Sequence, residues 1–220
     1  GWAFVNVNIR PYYAEGSKSI GFEVAEQLGW RLPRNTVACM ASGSLLTKMH
    51  KSYQEIIKVG LVQNSDFRIH GAQATGCSPI SQAFKAGADI IKPVAHPKTI
   101  AKSLAIGTPA DGYYAIKSMR ETDGFCEDAS DAEIIDGIKL LATCEGIFAE
   151  TAGGVTVACA KKLIATGKIP RNEEVVLCIT GHGLKTQEAV AAHCGQPRLI
   201  QPRLAEFDEK IYRMDFGGKG

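Results

Sequence analysis

Two apolar runs, each followed by a loop of small residues, constrain the fold of this chain more than any other feature. Residues 36–40 run directly into Ala41-Ser42-Gly43-Ser44, and residues 175–179 run into Thr180-Gly181-His182-Gly183. Short apolar runs bounded in this way are typical of strands buried on both faces of a parallel sheet. Ligands of such sheets bind beyond the carboxyl ends of the strands, so we expect both loops at the mouth of a binding site.

Composition places the chain among ordinary globular proteins. Its 220 residues fit one large domain or one and a half small ones, and the chain is 45% hydrophobic and 22% charged. The formal net charge is only +2 and no basic cluster is interleaved with aromatic residues. We therefore expect neither nucleic acid nor a membrane as a partner, and no apolar run is long enough to cross a bilayer.

The cysteine pattern indicates a reducing compartment. The chain has seven cysteines and no Cys-x-x-Cys pair. Scattered single cysteines favour free thiols in the cytoplasm over disulfides or a zinc site. Cys39 and Cys178 fall inside predicted strands, where a thiol commonly acts as a small buried hydrophobe.

Strand and helix patterns alternate along most of the chain. This alternation predicts an α/β fold, a three-layer open twisted sheet, mostly parallel, with helices on both faces. Ser130 and Glu133 form a capping box at the start of one helix. The predicted strands lie near 3–7, 36–40, 67–72 and 174–179, and the predicted helices near 17–28, 44–59, 76–86, 98–106, 130–141, 151–166 and 186–193.

The ends of the chain suggest a part of a longer protein. The sequence starts directly in the predicted strand near 3–7, without an initiator methionine. We expect one large domain over 1–195 and a mobile extension over 196–220, which contains two prolines and a Gly-Gly pair.

The loop over Ala41–Leu45 is the strongest candidate for binding a phosphate. Backbone N–H groups at the start of a helix attract an anion, and the Ser42 and Ser44 hydroxyls add donors. The alternative is a loop that is small only to permit a tight turn. Thr180 can turn its hydroxyl towards a ligand at the sheet edge, or it can simply end the strand. His182 has no carboxylate partner in the sequence, so we interpret it as a wall residue rather than a general base.

Other candidates have equally plain alternatives. Arg10 follows the first predicted strand and offers a forked donor for a phosphate or carboxylate, although a surface arginine fits as well. Lys18 near a helix start is a second cation that solvent alone can explain. The small residues after Glu150, over 151–154, would let a cofactor ring approach or would serve helix packing.

Four segments resemble the threonine synthase family. They are Asn8–Lys18, Ile100–Gly112, Glu145–Gly154 (similar to that family's EGIFxExA stretch) and Ile179–Lys185 (similar to its TGHGLK loop). The four occur in the family's order and cover residues 3–186.

The resemblance implies a pyridoxal-phosphate enzyme of the tryptophan-synthase-β fold, a carbon–oxygen lyase that makes threonine from O-phosphohomoserine and water. It assigns the cofactor phosphate to Ala41, Ser42, Gly43, Ser44 and Leu45. It assigns the pyridine nitrogen to Thr180 and the substrate to Asn8 and Arg10. Leu45 stands where many relatives carry an asparagine.

The family's Schiff-base lysine lies upstream of every matched segment. No lysine here has the expected Ser-x-Lys-Asp setting, so we expect this chain to lack that catalytic residue and to be inactive without an N-terminal domain. Two alternatives stay open: a cysteate synthase, which takes phosphoserine and sulfite, and a non-catalytic domain that binds a phosphorylated metabolite or a partner chain. A homodimer is one assembly open to the protein.

Overall fold

The fold is that of a computed structural model, which describes residues 1–2, 11–63, 66–195 and 198–212. The chain divides into two compact units, Gly1–Ala189 and Val190–Gly220. The strand predicted near 3–7 and the candidate substrate ligands Asn8 and Arg10 lie outside the described residues.

Among the described residues, four parallel strands form a sheet at the centre of the first unit. The strands are β1 (Asn35–Cys39), β2 (Arg68–Ala74), β3 (Cys126–Ala129) and β4 (Val175–Leu177). Their order is β3-β2-β1-β4, and every pair is parallel. Because β1 and β4 are neighbours, the two small-residue loops that follow them leave the same edge of the sheet.

Nine α-helices occur among the described residues, and most match a predicted element. Their bounds are α1 (Pro11–Gly16), α2 (Ser19–Gln27), α3 (Ser44–Lys58), α4 (Pro79–Lys85), α5 (Gly112–Glu121), α6 (Asp131–Glu145), α7 (Thr151–Ala165), α8 (Glu188–Ala191) and α9 (Leu204–Phe207). The predicted capping box opens α6: the Glu133 N–H donates to Ser130 Oγ, and the Ser130 N–H donates to the Glu133 carboxylate over 2.8 Å.

One face of the sheet packs on α3, α4 and α5. Thr36 of β1 shares a hydrogen bond of 3.1 Å with the Tyr53 hydroxyl of α3, and both residues are buried. Gly71 of β2 makes room for two methionines, because a Cβ at Gly71 would lie 2.3 Å from Met40 and 2.8 Å from Met119. The largest apolar core of the protein therefore fills this side.

The opposite face packs on α7, whose buried residues occupy nearly its whole length. Thr156 of α7 donates to the Cys178 carbonyl over 3.5 Å. The helix α6 covers α7 from outside at very short range, since a Cβ at Gly137 would lie 2.5 Å from the Gly154 carbonyl oxygen. Helices on both faces of a parallel sheet confirm the predicted fold class.

Some local structure differs from the prediction. The helices α1, α5 and α9 and the strand β3 were not predicted. The acidic pair Glu127 and Asp128 occupies half of β3 and hides its strand character. The helix predicted over 98–106 shrinks to a 3-10 turn at Lys102–Leu104. Its first residues are held instead by the Asp131 carboxylate, which accepts from Thr99 Oγ1 over 2.8 Å and from the Ile100 N–H over 3.1 Å.

Beyond the end of α8, the described residues of the second unit form α9 and a π-helical turn at Asp208–Tyr212. The helix predicted near 186–193 is shorter than expected, at Glu188–Ala191. Among the described residues, no helix is both long enough and apolar enough to cross a membrane.

Candidate cofactor site

A cavity of about 430 Å³ lies beyond the carboxyl ends of β1 and β4. It brings together all six residues that the sequence predicted for the cofactor, the loop Ala41–Leu45 and Thr180. The other residues that line it are Tyr13, Ser17, Cys39, Ser103, Leu104, Ile106, Glu150 and Ala152. One wall is therefore a polar loop, and Leu45, Leu104 and Ile106 add an apolar surface.

The loop between β1 and α3 depends on a glycine in the left-handed region. Gly43 has φ +96° and is buried. A Cβ at this position would lie 3.0 Å from the Asp111 carbonyl oxygen and 3.1 Å from Ala115 Cβ. The Asp111 N–H donates to the Ser42 carbonyl over 2.9 Å, so the start of the unpredicted helix α5 holds the loop in place. A larger residue would strain the backbone and collide with α5.

The first turn of α3 offers donors to the cavity. Gly43 precedes this helix of 15 residues and has no side chain to cap it. The Ser44 N–H has only a long contact of 3.4 Å to Ser42 Oγ. Ser44 Oγ is buried and has no hydrogen-bond partner. Unpaired N–H groups at a helix start, together with an unpaired hydroxyl, form a site suited to an anion.

A buried carboxylate lies next to Thr180. The Thr180 hydroxyl donates to Glu150 Oε1 over 3.4 Å, and Lys185 Nζ lies 2.7 Å from Glu150 Oε2. The Glu150 side chain is 6% exposed, whereas that of Lys185 is 63% exposed. The sequence reasoning noticed Glu150 only as the start of a small-residue helix and within the EGIFxExA-like stretch. Its place in the site became visible only once β4 and α7 were assembled.

Cys39 forms part of the cavity floor beside the same threonine. Burial raises the pKa of the Cys39 thiol, while contacts with the Thr156 and Thr180 hydroxyls act in the opposite direction. A buried thiol of this kind stays protonated at neutral pH and is a poor nucleophile. We interpret Cys39 as a packing residue of the site, in agreement with its predicted place in a buried strand.

His182 is exposed and does not line the cavity. Its Nδ1 accepts from the Leu184 N–H over 3.2 Å, and its ring packs edge-to-face on Phe148 with centroids 5.9 Å apart. No carboxylate of the described residues pairs with it. This geometry suits a residue that shapes the loop after β4 rather than a general base.

The sequence of this chain matches the family model described as pyridoxal-phosphate dependent enzyme over residues 1–181. The match covers most of the chain, and it coincides with the parallel sheet and the cavity at its carboxyl edge. The chain therefore belongs to the family of pyridoxal-phosphate dependent enzymes, whose cofactor is pyridoxal phosphate.

Its curated relatives are threonine synthases. The protein from Methanosarcina acetivorans is 36% identical over 205 residues, which is 93% of this chain and 50% of that protein. The protein from Methanocaldococcus jannaschii is 34% identical over 194 residues, 88% of this chain and 48% of that protein. These relatives confirm the resemblance carried by the four segments. The chain spans about half the length of the curated relatives it matches.

Solved structures confirm the fold. Maize serine racemase superposes with a TM-score of 0.64 at 17% identity, covering 83% of this chain and 55% of the racemase chain. Threonine deaminase isoform 2 from Solanum lycopersicum superposes with a TM-score of 0.65 at 18% identity, covering 85% and 51%. Both carry the tryptophan-synthase-β-like architecture, and at these identities the likeness concerns the fold alone.

Proposed function

We propose that this chain is the cofactor-binding part of a threonine synthase, which converts O-phosphohomoserine and water into threonine and phosphate. One observation carries the proposal: the phosphate-type loop Ala41–Leu45 and Thr180 line the same cavity at the carboxyl edge of the sheet. The identity to threonine synthases along 93% of the chain supports this particular reaction within the family.

The loop fits the phosphate of the cofactor. Ser44 Oγ is buried without a partner, and the start of α3 presents N–H groups that no side chain caps. A phosphate group supplies acceptors for these donors and gains from the positive end of the helix dipole. Gly43 has no Cβ, so the start of α5 can pack against the loop and hold it in this conformation.

Thr180 is our candidate for the pyridine nitrogen, and Leu45, Leu104 and Ile106 give one side of the cavity an apolar surface. When bound, pyridoxal phosphate supplies an electron sink for carbanions formed next to the substrate's amino group. Thr180 would orient the ring through a hydrogen bond, and the loop would fix its opposite end. Asn8 and Arg10, outside the described residues, stay our proposed substrate ligands.

The Schiff-base lysine is supplied from outside this chain in our proposal. Of the described residues that line the cavity, none is a lysine. Lys185 contacts a residue that lines the cavity, Glu150, and its side chain is mostly exposed. A lysine is needed both to hold the cofactor aldehyde and to move protons. We therefore propose that the chain is catalytically inactive without a lysine-bearing N-terminal half.

The test compares the chain alone with the chain joined to the N-terminal half of the Methanosarcina acetivorans relative. With O-phosphohomoserine and pyridoxal phosphate, we expect threonine and phosphate in equal amounts from the joined protein and neither product from the chain alone. Borohydride should fix no cofactor to a lysine of this chain. Stoichiometric labelling of Lys185, or threonine made by the chain alone, would overturn the assignment of the lysine.

The same assay separates the alternatives. A cysteate synthase would release phosphate from phosphoserine with sulfite and would leave O-phosphohomoserine unchanged. A non-catalytic binding domain would form neither product in either protein while still binding a phosphorylated ligand. The seven free cysteines support the cytoplasm as the compartment in which we place the enzyme.

A further inference from the structure

The Glu150 carboxylate is placed for a role other than capping the helix that follows it. Glu150 precedes α7, yet its side chain makes no capping hydrogen bond. The Thr151 N–H is served instead by Thr186 Oγ1 over 3.2 Å. The carboxylate turns towards the cavity, where its two oxygens contact Thr180 and Lys185. A buried carboxylate that does not cap its own helix needs other partners to offset the free-energy cost of its burial.

The loop after β4 is shaped around this carboxylate. A Cβ at Gly181 would lie 2.3 Å from the carboxyl carbon and 2.3 Å from Oε1 of Glu150, so only glycine leaves room for it. The Glu150 N–H donates to the Gly181 carbonyl over 2.9 Å, which fixes the two segments together. The start of α7, a helix of 15 residues, favours the negative charge there.

We propose that Glu150 is a positioning residue that sets which way the Thr180 hydrogen bond runs, so that the pyridine nitrogen is bound in its protonated, N–H form. A hydroxyl has one proton to donate. A carboxylate only accepts, so the Thr180 proton goes to Glu150 and its oxygen lone pairs face the cavity. A ring nitrogen at that oxygen must then be the donor. This inference rests on the proposed function, because it takes Thr180 as the nitrogen's partner.

Lys185 determines which oxygen of the Glu150 carboxylate is left for Thr180. Its ammonium beside Oε2 leaves Oε1 for Thr180. In a Glu150→Gln variant the amide oxygen is held by the Lys185 ammonium, and the amide NH₂ is turned to Thr180. Thr180 then accepts from Gln and donates its own proton to the ring. The substitution keeps the shape of the side chain and reverses the direction of the hydrogen bond.

Cys39, another titratable residue in contact with Thr180, does not compete with Glu150 for the Thr180 proton. Cys39 contacts the Thr180 hydroxyl, but burial raises the pKa of its thiol. A protonated thiol is a weak donor and acceptor, so it does not take the Thr180 proton from a carboxylate. Within the described part of the chain, the charged groups that face Thr180 are therefore Glu150 directly and Lys185 through Glu150.

The test uses pyridoxal phosphate labelled with ¹⁵N in the ring, bound to the joined protein, with the ring nitrogen shift followed from pH 6 to pH 9. We expect the N–H form in the parent. In Glu150→Gln we expect the ratio of N–H to unprotonated ring at neutral pH to fall by about tenfold, equivalent to one pKa unit. Glu145→Gln, five residues away and exposed, should leave the ratio as in the parent. An unprotonated ring in the parent, or no change in Glu150→Gln, would overturn the proposal.

A second measurement needs no cofactor. In the chain alone, Thr180→Val and Glu150→Ala should shift the urea midpoint non-additively, because each substitution removes the one hydrogen bond that the two residues share. Additive shifts would overturn the pairing even if the cofactor binds elsewhere. If labelled cofactor does not bind the joined protein, or if Gly43→Asp does not weaken its binding, the proposed cofactor site is wrong. The double-mutant cycle decides independently whether Glu150 and Thr180 act together.

Discussion

Gly43 and the Asp111 carbonyl approach so closely that a Cβ on the glycine would lie 3.0 Å from the carbonyl oxygen. This close approach, together with the hydrogen bond from the Asp111 N–H to the Ser42 carbonyl, ties the loop that opens α3 to the start of α5. Several measurable properties of the site depend on it.

The substitution Gly43→Asp should weaken binding of pyridoxal phosphate by at least about tenfold, about 1.4 kcal/mol. A side chain at φ +96° strains the backbone, and it would collide with Asp111 and Ala115 and so displace the loop that presents the N–H groups. Equilibrium dialysis of the chain with the cofactor measures the effect. Gly60→Asp is the matched control, because Gly60 has φ +78° and open space around it. Equal affinities in the two variants would show that this loop does not hold the phosphate.

The substitution Thr180→Val should affect turnover more than cofactor retention. A net hydrogen bond is worth about 0.5–1.5 kcal/mol, so retention should fall only modestly. Charge on the ring changes as the carbanion forms, and an interaction that is stronger in the transition state acts on rate. Phosphate release and threonine yield by the joined protein measure the outcome. Thr166→Val, at the far end of α7, should behave as the parent. Unchanged turnover in Thr180→Val would mean that this residue merely ends a strand.

The stability of the chain should fall as the pH drops, and His70 should account for part of the loss. Burial, with a contribution from Arg68, lowers the pKa of His70 from 6.5 to about 4. The Phe125 N–H donates to its Nδ1 over 3.1 Å, and Nε2 lies 3.1 Å from Asn35 Oδ1, so the neutral ring is fully paired. Between pH 6.5 and pH 4, His70 binds a proton in the unfolded chain but stays neutral in the folded chain.

This difference removes about 3 kcal/mol of unfolding free energy by pH 4, and none above pH 7. His70→Gln should be less stable at pH 7 and should lose less on acidification than the parent, as measured by urea unfolding at each pH. His193→Gln, at an exposed position, should follow the parent curve. Parallel curves for the parent and His70→Gln would contradict the assignment.

Only two of the seven thiols should react quickly with Ellman's reagent in the native chain. Cys144 and Cys194 are exposed, and the other five are buried. Burial also raises the pKa of those five thiols, Cys39, Cys77, Cys126, Cys159 and Cys178. In denaturant all seven thiols should react, and Cys144→Ser should lower the number of fast-reacting thiols in the native chain from two to one. Rapid labelling of more than two thiols would show that the core is more open than the structure indicates.

Local patterns were enough to predict the elements that bury an apolar side. The spacing of Ile134, Ile138 and Leu141 and the capping box at Ser130 located α6, and all three apolar residues are buried. The strand β3 was not predicted, because its residues Glu127 and Asp128 are acidic and stay partly exposed. Asp128 is held there by Lys85, which contacts it over 2.6 Å from α4. Such a contact between distant segments produces no periodic pattern in the sequence from which the strand could be predicted.

The sequence by itself determined the parallel α/β class, the two loops at the carboxyl edge and the residues in them, because strand burial and the glycine in a tight turn are local consequences of residue type. Only the tertiary structure decided that β1 and β4 are neighbours, which brings the Ala41–Leu45 loop and Thr180 to one cavity. It also decided that Glu150 lies behind Thr180. The physical reason is that a buried carboxylate takes its role from the donors that packing places around it, and Glu150 meets Thr180 and Lys185 only when the start of α7 packs beside the loop after β4.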